Sequence, residues 1–235
     1  ASHLYALFNG LPDEIKSNPQ LVRAFDKSLE SRMEIRRREF MSPALREFSS
    51  FEEVQIPNYT PSGDNGEVII EKGKGRPPGE MGFGIVQQGF AAASLRKADM
   101  CGQILDWLAN CYWFPNFMST HNPRAIFNTD ISGGLPALLL RMLVDSQPGW
   151  IEFLPAWPEN LPSGKLEGAA LRGGIILKEL TWSGNHISAV LFSPVSREIE
   201  LRSQREILSI ECSEKSAVKS DDGKYSMILP DNLSV

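Results

Sequence analysis

Cysteine is scarce in this 235-residue chain, and its three copies, Cys101, Cys111 and Cys212, form no short spacing and leave an odd one over. That argues against a disulfide framework and against a thiolate zinc centre. Cys101 and Cys111 fall in an apolar helical stretch and read as buried thiols, with no flanking signature of a nucleophile. Histidine is as sparse: His3, His121 and His186 show no paired spacing of the kind that builds a catalytic metal site, so neither a metal nor a cofactor is expected. No apolar run is long enough to span a bilayer. Basic charge is not in excess either; a net charge of -5 argues against a non-specific nucleic-acid binder. The one dense basic cluster, Arg36-Arg37-Arg38, reads as a solvated helix end whose cations suit the helix dipole, with polyanion binding as the alternative. A basic-then-apolar leader is missing at the N-terminus. Ser2-His3-Leu4-Tyr5, following a first residue Ala, reads as the interior of a domain, so the chain is expected to be part of something longer. Two common motifs are absent as well. Gly82-Phe83-Gly84 with Gly89 is not a dinucleotide fingerprint, and Ser132 lacks the GxSxG setting of a nucleophile elbow.

What is present suffices for a sizeable core: 42% of residues are apolar, ordinary for a chain that buries one or two domains. Asn18-Pro19 reads as an N-cap followed by proline in the first turn, and Leu21, Phe25, Leu29 and Met33 then recur every fourth residue, predicting a helix over 19–36. From 40 to 80 the pattern dissolves into a Pro- and Gly-rich insertion loop, with a short strand expected at Glu67-Val68-Ile69-Ile70. Helices are predicted over 84–97, over 99–112 (Ile104, Leu105, Leu108 and Cys111 inward) and over 135–146 (Leu138, Leu139, Met142 and Leu143 inward), the last with Pro136 in its first turn. Short connections suggest antiparallel neighbours. After Pro148 the period changes to two. Strands are expected at Trp150–Leu154, Leu171–Leu177, Leu180–Trp182, Ile187–Leu191, Ile199–Leu201 and Ile207–Ile210, with a tight turn at Ser183-Gly184-Asn185. The expected organisation is helical over 1–147 and an antiparallel β-sandwich-like domain over 148–235, the boundary near Gln147-Pro148-Gly149.

The stretch from Pro115 to Ser146 is where chemistry is expected. His121 and Asp130 stand outside any apolar period, just ahead of a helix, where scaffolds commonly present functional groups. Asp130 has two readings: a cap accepting orphan backbone N–H groups, or a carboxylate held on the rim of a helical scaffold, able to polarise a water or orient an amide. His121 and His3 can bond the backbone or a sugar hydroxyl; His186 reads as an exposed turn residue. The five tryptophans can stack on sugar rings, although their commoner role is structural.

The segment NFMSTHNPRAIFNTDISGG resembles the NLFDxHPPFQIDGNFGG segment of glycoside hydrolase family ninety-five, the inverting α-L-fucosidases and α-L-galactosidases. His121, Pro123, Phe127, Asp130 and Gly134 stand in matching order. FLPAWPENLPSGKLEGAALRGGI, from Phe153 to Ile175, is similar to the family's LLPALPxxWPSGxVxGLRARGGF. SHLYALFNG resembles SHLxGLxPG and carries His3, and MGFGIVQQGFAAASLRKAD is a faint copy of GWSxAWKxxxWARLxDG. The resemblance implies an α plus β multidomain fold: the closing helices of an (α/α)6 barrel followed by the C-terminal β-domain. It implies removal of terminal α-L-fucosyl or related L-sugar residues from glycans with inversion, Asp130 activating an asparagine at the attacking water and His3 and His121 binding the sugar. An extracellular or periplasmic setting, an oligosaccharide partner and no cofactor are implied too.

Departures accompany the match. The family's general acid and catalytic asparagines lie upstream of the SHL segment, so the chain is expected to need a missing N-terminal part of the barrel. Ser132 replaces the asparagine of DGN, and Gln87-Gln88 replaces a Trp-Lys pair. The alternative reading is a non-catalytic carbohydrate-binding or scaffold remnant of that family.

Overall fold

The computed structural model describes residues 2–40, 80–123, 125–204, 206–210, 218–219 and 225–230, the side chains of Ser2, His3, Val218 and Lys219 excepted. The 41–79 stretch, with the strand expected at Glu67–Ile70, lies outside the described residues, as does Cys212.

A 3-10 turn, Ser2–Leu7, and a one-turn helix α1, Asp13–Lys16, precede α2, Pro19–Phe40. Asn18 caps α2 as its sequence suggests: Oδ1 accepts from the amides of Gln20 (3.0 Å) and Leu21 (3.2 Å). Only the second half of the predicted apolar face is buried. Leu29 and Met33 are inaccessible, whereas Leu21 is 42% exposed. The three basic residues near its end are engaged with carboxylates: Arg36 with Glu39 and Glu80, Arg37 with Glu30, Arg38 with Glu34. Arg38 is solvated as a helix end suggests, but Arg36 is not: its side chain is only 13% exposed.

Helices α3, Gly82–Ser94, and α4, Ala98–Cys111, fall within two or three residues of their predicted spans. α3 packs against α4 and against the next helix, α5. Its approach to α5 is close because Gly89 has no side chain; a Cβ there would lie 2.5 Å from Leu138 Cδ2. Ile85, Ile104, Leu108, Tyr112, Leu138 and Met142 fill the space between, each removed from solvent and each contributing on the order of 1.5–3 kcal/mol.

Between α4 and α5 lies a small hairpin, β1 (Thr120–Asn122) against β2 (Ala125–Phe127). Helix α5 spans Asp130–Leu143, so it begins five residues earlier and ends three residues earlier than the predicted 135–146. Pro136 is therefore inside the helix, not in its first turn, and supplies no N–H to the Ser132 carbonyl. The Asp-Ile-Ser-Gly-Gly start has weak helix propensity, but Ile131 is fully buried and tertiary packing wins. Leu143 passes without a loop into β3, Val144–Gln147, which pairs antiparallel with β4, Trp150–Phe153. Gln147-Pro148-Gly149, the expected boundary, is the turn of this hairpin, with Gly149 at φ 96°.

Six further strands follow: β5 (Ser163–Ala170), β6 (Ile176–Ser183), β7 (His186–Phe192), β8 (Arg197–Arg202), β9 (Val218–Lys219) and β10 (Tyr225–Leu229). β5, β6 and β7 form one antiparallel sheet; the other runs β3-β4-β8-β10-β9. The second sheet is mixed, because β4 and β8 pair in parallel, which corrects the purely antiparallel expectation. The expected strand Leu171–Leu177 is instead mostly a turn: Gly173 and Gly174 both hold positive φ, 82° and 78°, and break the extended run before β6. Residues Ile207–Ile210 are not a strand either; the Tyr225 hydroxyl donates to the Ile207 carbonyl across the gap. Both sheets supply one apolar cluster, among them Ile151, Leu177, Leu180, Trp182 and Ile199. The class is thus α plus β, with a helical core and a strand core that share Trp157 as a partly buried neighbour.

Candidate functional site

α3 and α5 leave a groove between them on the face away from α4. From α3, Phe83, Val86, Gln87 and Phe90 line it at helical spacing; from α5, Asp130, Gly134, Ala137 and Arg141 do. Small residues in the middle of α5 keep the floor low. The β3 residues Asp145 and Ser146 and the turn residue Arg172 close the far end, and Phe8 and Asn9 cover one side. The cavity holds about 630 Å3.

Asp130 sits at its mouth. It is the first residue of α5 and not its cap; Thr129 holds the cap position and makes no side-chain cap bond. The Asp130 amide donates to Asn128 Oδ1. Its exposed carboxylate makes no hydrogen bond or ion pair among the described residues. A carboxylate in the first turn of a helix suits the dipole.

His121 occupies the middle of β1, turned opposite to the buried Thr120 and Asn122. Its ring lies 6.1 Å from that of Phe83, a cavity-lining residue. Nδ1 lies 2.8 Å from Asn122 Oδ1. In the neutral tautomer that donates from Nδ1 to this amide oxygen, Nε2 is the ring acceptor. His3 falls in the 3-10 turn that leads to Phe8 and Asn9, and its side chain lies outside the described residues. Asp130 lines the groove and His121 does not; the His121 ring packs beside Phe83, which lines it. His186 is exposed at the start of β7.

Two substituted positions have clear local partners. Ser132 Oγ lies 2.8 Å from Ser119 Oγ, and Ser119 also donates to the Asn128 carbonyl. The pair ties the start of α5 to the strand before it. Gln87 faces the cavity, whereas Gln88 is buried, donating from Nε2 to the Gly84 carbonyl (3.1 Å) while its Oε1 has no partner.

Sequence reasoning missed the charged cluster at the far end. Arg96 follows α3 at φ 59°, where the Lys97 amide bonds back to the Ala92 carbonyl (2.9 Å) and the Arg96 amide to Ala93 (3.1 Å). This is the left-handed position of a Schellman motif, which glycine usually fills. Its guanidinium donates from Nη2 to Asp145 Oδ2 (2.9 Å) and Glu152 Oε2 (2.6 Å). Asp145 and Glu152 are directly opposite each other on β3 and β4 and are 5% and 3% exposed. Gln204 donates to Glu152 as well. The cluster forms a wall between the groove and a second cavity of about 760 Å3, which Arg96 and Glu152 line from the other side. No signal in the sequence marks it, since its members are 49 and 56 residues apart.

Cys101 is fully buried beside Gly89, and burial pushes its thiol up to about 12 from 9.0. A thiol so held is not a nucleophile at neutral pH. None of the five tryptophans lines either cavity. Trp157 and Trp182 pack edge to face at 5.1 Å, and both indole N–H groups donate to the Leu161 carbonyl. Trp107 stacks on Phe40. Among the described residues no group of three or more His, Cys, Asp and Glu could hold a metal ion, and no helix is long and apolar enough to cross a membrane. No family model matches the chain, and no curated protein matches it.

Proposed function

We propose that this chain is the C-terminal part of an inverting glycoside hydrolase that removes terminal α-L-fucosyl or related L-sugar residues from glycans. The observation that carries the reading is the Asp130 carboxylate, which lines the groove and has no hydrogen-bond or ion-pair partner among the described residues, near where His121 packs beside Phe83. It joins the motif resemblance that runs through those same two residues. On this reading α2 to α5 are closing helices of an (α/α)6 barrel and the two sheets are a sandwich-like C-terminal domain. The setting is extracellular or periplasmic.

In the reaction proposed, water attacks the anomeric carbon from the face opposite the leaving oxygen, which requires an acid and a base on opposite sides with water between. An amide is too weak a base alone. A carboxylate accepting its N–H polarises it and stabilises the charge it gains as water loses a proton. Asp130 takes that positioning role toward an asparagine supplied by the upstream part of the barrel, as is the general acid. Nε2 of His121 accepts from a sugar hydroxyl.

A second reading, a sugar-binding remnant without hydrolysis, draws on Ser132 and Gln87. Ser132 is engaged with Ser119, and Gln87 puts a neutral amide in the groove where the resembled family has a Trp-Lys pair.

The test is hydrolysis of aryl α-L-fucoside and aryl α-L-galactoside by the full parent protein and by its Asp130→Asn variant. We expect kcat to fall by about a hundredfold or more, within the ordinary range for losing assistance to an acid–base step, with the circular dichroism unchanged. Turnover of neither sugar by the parent would leave the binding remnant as the better reading. Undiminished turnover by the variant would reduce Asp130 to a helix-start residue.

A further inference from the structure

The two ends of the groove differ in charge. Asp130 and Arg141 stand eleven residues apart on α5, about 16 Å along the axis at roughly 1.5 Å per residue. The carboxylate is at the open end. At the other end are Arg141 and Arg172.

Arg141 is held poorly by its own protein. Its side chain is only 15% exposed, yet its nearest carboxylate contact is Nη1 to Asp145 Oδ1 at 3.9 Å. Nη2 reaches Ser94 Oγ at 3.5 Å, and that hydroxyl already donates to the Leu7 carbonyl at 2.6 Å. Nε is buried with no partner. A guanidinium presents five N–H donors, and leaving them unmet away from water is costly. Asp145 does not make up the shortfall, because its other oxygen is bonded to Arg96. Arg172, on the turn before β6, donates from Nη1 to Gln147 Oε1 at 3.0 Å, a neutral acceptor. Among the described residues it has no carboxylate partner. Of the charged residues that line this end of the groove, Arg141 and Arg172 face Asp145, an excess of one positive charge. Burial first, and then the Arg96 and Arg172 cations, push the Arg141 pKa down against the pull of Asp145, the electrostatic mark of a place that would gain from an anion.

We propose that the Arg141–Arg172 end of the groove is an anion subsite, which seats the carboxylate or sulfate of an acidic sugar while a neutral sugar of the same oligosaccharide lies toward Asp130. The placement of the neutral sugar rests on the function proposed above; the anion subsite stands on the two arginines alone. Planar, fork-shaped donors match the paired oxygens of a carboxylate or sulfate. The apolar sides given by Phe83, Phe90 and Leu140 suit the faces of sugar rings between the two ends.

The experiment is calorimetric titration of the 235-residue chain with three disaccharides. One is neutral, one carries a uronate as its second ring, and one carries a sulfate there. At least one acidic form should bind about tenfold or more tightly than the neutral one, the gain of a single hydrogen bond to a charged group. The carboxylate arm alone would identify a uronate, the sulfate arm alone a sulfated sugar. Arg172→Gln, at an exposed position, should erase most of that preference; Arg141→Gln should do the same if the variant folds. Equal binding of all three, binding of none, or a preference that survives Arg172→Gln overturns the subsite. The function proposed above fails separately. The parent can lack α-L-fucoside turnover while the acidic preference persists, and the preference can be absent while turnover is present.

Discussion

Arg96 shows how one residue can be kept in an unfavourable backbone state by what its side chain does. A left-handed φ costs a non-glycine residue on the order of 1–2 kcal/mol. The three carboxylate-directed bonds, from Nε to Glu152 (3.1 Å) and from Nη2 to Glu152 and Asp145, offset that cost. Without them two carboxylates would face each other, buried, across β3 and β4. Arg96→Ala should therefore destabilise the chain by about 3–5 kcal/mol in urea denaturation, the loss seen when one partner of a buried ion pair is removed. Arg96→Gly breaks the same bonds but relieves the backbone, so it should be about 1 kcal/mol less damaging than Arg96→Ala. Equal losses would show that the left-handed turn carries no strain. Cys101 gives a second residue-level expectation. Its thiol titrates near 9.0 when unfolded and near 12 when folded. The neutral form is favoured in the fold, so this contribution is intact below about pH 9 and is lost as pH rises toward 12. Replacing Cys101 by Ala should flatten the fall in stability between those limits, whatever it does to stability at pH 7. An unaltered slope would sink the assignment.

At the level of elements, the α3–α5 contact separates two glycines that look alike in sequence. A methyl at Gly89 would lie 2.5 Å from Leu138 Cδ2, inside a packed core. Gly89→Ala should cost about 1–3 kcal/mol, read from the thermal or urea midpoint. At Gly133, exposed in the second turn of α5, an added Cβ meets nothing within 4 Å. Gly133→Ala should be neutral or stabilising, by up to about 1 kcal/mol, through helix propensity alone. The elements differ in how readily they could be read. α2, α3 and α4 announce themselves because their apolar residues keep a helical period without interruption. The start of α5 does not: Asp130, Ser132, Gly133 and Gly134 all favour turns, and Pro136 imitates a first-turn proline. β5, Ser-Gly-Lys-Leu-Glu-Gly-Ala-Ala, lacks the β-branched and aromatic residues that mark strands, so nothing in its sequence announces it. Asp130 and His121 were legible as polar residues outside any period. The Arg96, Asp145 and Glu152 cluster was not, because only tertiary folding brings residues so far apart in the chain together.

For the whole molecule, the contacts between the helical core and the strand core include the Arg96 ion pairs and Trp157, which packs against both clusters. Helix loss at 222 nm and tryptophan fluorescence should therefore follow one another in denaturant as a single transition. In Arg96→Ala the two curves should separate, because the ionic half of the junction is gone and the two cores are free to unfold at their own midpoints. Coincident curves in the variant would mean that Trp157 and the apolar contacts around it suffice.

The loop-free passage from Leu143 to Val144 gears two periodicities together. A helix advances its side chains by about 100° per residue, whereas a strand reverses them at every step. Arg141 faces the groove on the first count and Asp145 faces Arg96 on the second, with no slack between them to absorb a change of phase. A residue inserted at this seam would turn either the arginine out of the groove or the carboxylate out of the wall. Lengthening or shortening the chain here is thus forbidden to drift, and the cationic end of the cavity and the ionic junction behind it are committed to change together or not at all.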